Sequence, residues 1–167
     1  MRILIGKYPD FENGEKGEQK KSIRIDPWDT WSMDHTLADI ILPMLRQLRK
    51  TQHGAPMTDD EDVPEHLRST AAKPKKNDWD IDEFHFKRWD WIMKEMIWTF
   101  GEHSKDREPN FWIKKPKHKR VSVEGKDWQE LVNTDPGVYD DEKAKAYWER
   151  KKNGFRLFGK YYQNLWD

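Results

Sequence analysis

The stretch Ile23 to Lys50, IRIDPWDTWSMDHTLADIILPMLRQLRK, limits the possible folds more than any other part of the chain. Ile23, Arg24 and Ile25 alternate apolar and charged, as a half-buried strand does. Asp26-Pro27 stops that strand, because Pro27 has no N–H and biases Asp26 toward extended geometry. Ser32 is a good N-cap for a helix beginning at Met33, and Asp34 in the first turn complements the positive helix end. Leu37, Ile40, Ile41, Met44, Leu45 and Leu48 recur at three- and four-residue spacing and predict one apolar stripe. Pro43 predicts a kink or a division near Asp39. Arg46, Arg49 and Lys50 suit the negative end, and Gly54 is a candidate left-handed cap.

The same stretch, read as IRIDPWDTWSMDHTLADIILPMLRQL, resembles the central signature of an uncharacterised family of tailed bacteriophages. The likeness continues through HGAP and DDEDVPEHLRST (53–70). It resumes in FHFKRWDWIMKEMIWTF (84–100) and NGFRLFGKYYQNLWD (153–167), so it covers about half the chain. The first 22 residues depart from the pattern, in which relatives carry a longer segment. The resemblance implies a phage origin and brings no activity with it.

The 167 residues suit one domain, 1–167. Charged residues make up 37% and apolar ones 35%, so the core must be small; aromatics at 13%, with 10 Trp, compensate because each buried ring removes a large area from water. A formal net charge of zero argues against general nucleic-acid binding while leaving local basic patches open. The absence of Cys excludes disulfides, thiolate metal sites and Cys nucleophiles. MRILIGKY turns polar too quickly for a signal peptide, and no run approaches the roughly 20 apolar residues of a membrane span. The expected setting is the host cell cytoplasm, with no membrane contact.

Ile3 and Ile5 predict a first strand, antiparallel to 23–26, and mobile loops are expected near 9–21, 54–78 and 104–120. Pro64 to Arg68 suits one helical turn. A second long helix is predicted over 82–103, with Trp89, Ile92, Met93, Met96 and Phe100 inward. Trp91, Glu95, Trp98 and Glu102 form another stripe, fit for an interface or a pocket wall. Phe111–Lys115 is expected to pair with Val121–Val123, and Asp127–Leu131 to form a helical turn. Asp135-Pro136-Gly137 marks a loop. Asp140 caps a third helix with Ala144, Tyr147 and Trp148 inward, which Asn153-Gly154 ends or interrupts. Phe155, Phe158, Tyr162 and Leu165 stripe a last helix. The fold class is α+β, mainly helical: two or three long helices on a small antiparallel sheet.

No stretch fixes a reaction. Asp34-His35 lacks the HExxH or ExxH spacing of a metal site and would need His85, Glu95 or Glu102 beside it. Asp59 to Asp62 lacks the Gly and terminal Glu of a calcium loop, and no Gly-rich phosphate loop is present. The strongest hint is the proximity in sequence of cations and planar rings. Arg24, Trp28, Trp31, His35, Arg88, Trp91, Arg156 and Lys160 are the candidate ligand-binding residues, since rings stack on a base while guanidinium and ammonium groups take phosphate oxygens. The competing reading puts the rings in the core and pairs the cations with nearby Asp residues. The expectation is a non-enzymatic phage accessory protein that binds a small anionic, nucleotide-like ligand, for instance to sequester a host defence signal, with no cofactor. Two alternatives belong to other classes: a protein–protein or virion-associated assembly factor using the Trp91/Trp98 stripe, and a metal-dependent hydrolase using Asp34 and His35. Homo-oligomerisation is expected because a small core leaves apolar surface exposed.

Overall fold

The computed structural model describes residues 1–10, 12–105 and 108–166. It is α+β and mainly helical, with helix at 45% against strand at 16%. Three helices make the body: α1 (Met33–Thr51), α2 (His85–His103) and α3 (Asp141–Lys160). Helix α2 is central, with α1 and α3 both packed against it. Trp89, Ile92, Met93, Met96 and Phe100 of α2 meet Ala38, Leu42 and Leu45 of α1, with Leu157 and Tyr161 from α3 and its end. The α2 stripe lies inward as its spacing requires.

The strands form three separate two-stranded antiparallel ribbons. β1 (Arg2–Ile5) pairs antiparallel with β2 (Lys21–Arg24) as expected, but β2 lies two residues before the expected 23–26, and Ile23 and Ile25 are exposed rather than half-buried. β3 (Trp112–Lys114) pairs with β6 (Val138–Tyr139), and β4 (Lys117–Ser122) with β5 (Gln129–Asp135). Two local expectations fail here. Phe111–Lys115 does not pair with Val121–Val123, and Asp127–Leu131 does not form a helical turn, because its last residues enter β5. The long β4–β5 ladder takes both segments: Lys126 N–H reaches Val123 O in a tight turn, with Gly125 at φ 75°, where glycine is favoured.

Helix α1 runs through Pro43 without division. Gln52 ends it in extended geometry, and Gly54 does not take a left-handed conformation. Helix α2 starts at His85, three residues later than expected, since the Asp82 carboxylate accepts from Phe84 N–H and holds a turn there. Helix α3 begins on the Asp140 cap, whose carboxylate accepts from Lys143 N–H. It continues through Asn153-Gly154 rather than ending there. Gly154 is buried against Thr99, and a side chain at that point would collide with α2. Trp148 is exposed, contrary to the inward position expected of it.

Residues 52–84 contain three short 3-10 turns, one of them Glu65–Leu67 where a helical turn is predicted. Polar groups tie this segment to the helices. His85 Nε2 lies 3.1 Å from Ala55 O, Trp89 Nε1–H donates to Gln52 Oε1, and Arg88 Nη1–H donates to Leu67 O. Tyr161 OH donates to Asp62 at 2.7 Å and accepts from Asp59 N–H. Among the described residues no helix is long and apolar enough to cross a membrane.

Candidate functional site

The eight candidate residues do not converge. Arg24 is exposed on β2. Trp28 sits on the 3-10 turn Pro27–Thr30 and Trp31 directly follows it; they are 77% and 82% exposed, with ring centroids 6.0 Å apart. That turn is well fixed: Asp26 accepts from Trp28 N–H, and Asp29 accepts from Asp26 N–H, a reciprocal cap. Trp91 is half-buried against the core. The remaining four residues sit in three places.

Arg88 is buried and consumed by the fold. Its Nη2 lies 2.7 Å from Asp82, itself nearly buried, and the guanidinium beside Asp82 holds that carboxyl below the usual carboxylate range. Arg156 and Lys160 both serve Asp62, whose side chain is wholly inaccessible. Arg156 Nη2 and Lys160 Nζ each stand 2.6 Å from its carboxylate. Burial works against the charged form of Asp62, but Lys160, Tyr161 and Arg156 together outweigh it and hold its pKa low. Burial and the bond to Asp62 push the Tyr161 hydroxyl up to about 12. Sequence separations near 99 residues hid this constellation; a carboxylate inside a highly acidic run gave no signal of its burial.

His35 is on the surface, its ring stacked on His103 at 4.6 Å, and His103 Nε2 lies 2.9 Å from Asp34 Oδ2. One ligand atom from each of Asp34, His35 and His103 fits within 4.8 Å of the others. The third group that a metal reading of Asp34-His35 requires is therefore His103, from the far end of α2, and not His85, Glu95 or Glu102. Three ligands with an open position are what a catalytic zinc takes. Two features weaken the set. Asp34 and His35 are exposed, and buried His103 Nδ1 has no hydrogen-bond partner among the described residues, whereas a metal-bound imidazole normally donates its second N–H. Burial first, then Lys151 and His35, lower the His103 pKa against the pull of Asp34.

Of the Trp91, Glu95, Trp98 and Glu102 stripe, expected to form an interface or a pocket wall, Glu95 and Trp98 are covered by α3, while Trp98 and Glu102 line a depression. Arg150 of α3 forks onto Glu95 with two 2.8 Å bonds and lies 3.9 Å over the Trp98 ring. Tyr147 packs edge-on against Trp98 and donates to Glu102 at 3.2 Å. Beside this stripe, and sharing Trp98 and Glu102 with it, lies a feature that residue-by-residue reading missed. Arg46 and Arg49 of α1 face Lys94 and Lys105 across a depression of about 420 Å³ floored by Ile97, Trp98 and Gly101. Asp90 is shared by Arg49 and Lys94, and Glu102 pairs with Lys105; Arg46 has no counter-ion among the described residues. The signal was the charge of two helices facing each other, which appears only when they pack.

A second missed feature is the outer face of α1. Met33, Leu37 and Met44 are 54%, 42% and 61% exposed, with half-buried Ile40 between them. At 100° per residue, the buried and exposed apolar positions of α1 together span roughly 200°, about twice the stripe a surface helix needs. Comparison with known proteins adds no relative: no family model, no curated protein and no solved structure matches the chain.

Proposed function

We propose that the chain is a non-enzymatic interaction protein that docks another helix on the outer face of α1, a second copy of the chain being the simplest occupant. The roughly 200° apolar arc of α1 carries this reading, because the core takes the part that holds Ala38, Leu42 and Leu45, with Ile41 and Leu48 at its edge, and leaves Met33, Leu37 and Met44 exposed. Met33, Leu37, Ile40 and Met44 follow the 4-3-4 spacing of a coiled-coil seam over two heptads. A seam of this kind is self-complementary and suits a two-fold pair. Trp28 and Trp31, held rigidly by the Asp26/Asp29 cap, extend the apolar surface with the residue type that dominates interface energetics. Sedimentation velocity on the intact protein and on a Leu37→Lys/Met44→Lys variant tests it. A dimer that becomes a monomer with unchanged circular dichroism is expected. A wild-type chain that stays monomeric at all concentrations removes the second copy as occupant.

The depression between α1 and α2 favours a second reading, a site for a small anionic, nucleotide-like ligand. Four cations surround a floor that includes the Trp98 ring, and Arg46, which has no counter-ion among the described residues, can take a phosphate. A phage accessory role, including capture of a host defence signal, rests on the sequence resemblance. Calorimetric titration with linear and cyclic nucleotides would detect binding that Arg46→Ala weakens. No heat with about millimolar ligand, the weakest affinity of practical meaning, would end this reading.

A further inference from the structure

The β4–β5 ribbon has no packed face. Every residue of β4 is exposed, and so is every residue of β5 except half-buried Asp135. A two-stranded ribbon solvated on both sides is marginally stable in water, so this one is built to gain a partner. The register determines what each face carries, because directly opposed residues of an antiparallel pair share a face. His118 opposes Asn133, Arg120 opposes Leu131, and Ser122 opposes Gln129. This face therefore holds Arg, His, Ser, Asn and Gln around one leucine, with no carboxylate. The other face carries Lys119 against Val132 and Val121 against Glu130. Lys114, Lys115, Lys117, Lys119, Arg120 and Lys126 flank or belong to β4, against Glu124 alone between 114 and 126. Asp135 is already held by Lys114.

We propose that the β4–β5 ribbon enters the major groove of duplex DNA with the His118/Arg120/Ser122 and Gln129/Leu131/Asn133 face toward the bases. The fit has three parts. A major groove about 12 Å wide admits a two-stranded ribbon. Arg pairs with guanine, Asn and Gln pair with adenine, and an apolar side chain meets the thymine methyl, which are the residue types present. The lysines along β4 reach phosphates on the flanks and fix the docking without reading sequence. His118 to Ser122 spans about 13 Å at strand rise, room for three or four base pairs. An overall charge of zero does not oppose this, since the cations are concentrated on one projecting element.

Substitutions that add the same charge to opposite faces test the proposal. Anisotropy of a labelled, mixed-sequence DNA duplex of about 20 base pairs is followed with the intact protein at low salt. Saturable binding is expected, weakening steeply as salt rises. Ser122→Glu, on the groove face, should weaken it at least tenfold. Val132→Glu, on the opposite face and directly across from Lys119, should weaken it less than threefold. Arg120→Gln, which adds no acid, should also weaken binding and guards against a Ser122→Glu ribbon that fails to form. Equal loss from Ser122→Glu and Val132→Glu would overturn the groove reading in favour of bulk charge. Absence of binding below about 100 µM protein, the weak end of non-specific affinities, would overturn it outright. So would equal or tighter binding to double-stranded RNA, whose major groove is too narrow, or to anionic phospholipid vesicles.

Discussion

Alanine at Gly154 is expected to destabilise the protein, although alanine is the better helix former by about 1 kcal/mol. The reason is the approach of α3 to α2. A Cβ at 154 would lie 2.7 Å from Thr99 Cβ and 3.0 Å from the Glu95 carbonyl oxygen, and closer still to Thr99 Oγ1. Rotating Thr99 moves its hydroxyl and leaves its Cβ in place. Ordinary contact begins near 3.4 Å, so the helices must part locally by about 0.7 Å. Neighbouring Met96, Leu157 and Phe100 would lose contact as they do. Overpacking of this kind costs about 1–3 kcal/mol, and a collision with backbone places it at the upper end. After the gain in propensity, a net loss of about 2 kcal/mol remains, or about 4–8 °C in Tm for a chain of this length. Gly159→Ala is the control: it sits in the same helix with nothing within 4 Å, and should stabilise by about 0.5–1 kcal/mol. Urea unfolding followed by Trp fluorescence measures both. A Gly154→Ala protein as stable as wild type, or more so, would refute the close-packing argument.

Asp62→Asn removes a buried charge that Arg156, Lys160 and Tyr161 surround. The two cations can still reach water, so the loss should sit near 2–3 kcal/mol, at or below the low end for broken buried pairs, as read by urea unfolding. The depressed pKa of Asp62 fixes the sign of its pH dependence. Its stabilisation is complete above the unfolded carboxyl value near 4 and is lost as pH falls through the lower folded value. The drop in urea midpoint below pH 4 should therefore be shallower in Asp62→Asn; an identical pH profile would count against the assignment. Arg150→Lys keeps the charge but loses the fork onto Glu95 and the stack on Trp98, and a loss of about 1–2 kcal/mol should appear in the same assay. Trp31→Ala should leave the unfolding midpoint within about 0.5 kcal/mol of wild type, because its ring is exposed, and should weaken self-association measured by sedimentation.

What the sequence determined alone is local. The α2 stripe, the Asp140 cap, the β1–β2 pairing and the 3-10 turn after Pro64 all depend on residues within a few positions of one another, or on simple alternation. Period, capping and turn chemistry act at that range, so they are legible without the fold. The α+β, mainly helical class follows from the same signals. Tertiary structure decided the rest. Asn153-Gly154 reads as a helix stop by local rules, yet the glycine is there because Thr99 passes too close for a side chain. The cations picked out beside aromatic rings were real features with unforeseen partners: Arg156 and Lys160 go to Asp62, and Arg88 goes to Asp82. A buried charge takes whichever opposite charge the packing brings within about 3 Å, and sequence distance does not enter that choice. The two faces of the β4–β5 ribbon were also hidden until register placed His118 opposite Asn133 and Ser122 opposite Gln129. A one-residue slip would exchange those faces, so the chemistry a ribbon presents is fixed by pairing and not by composition.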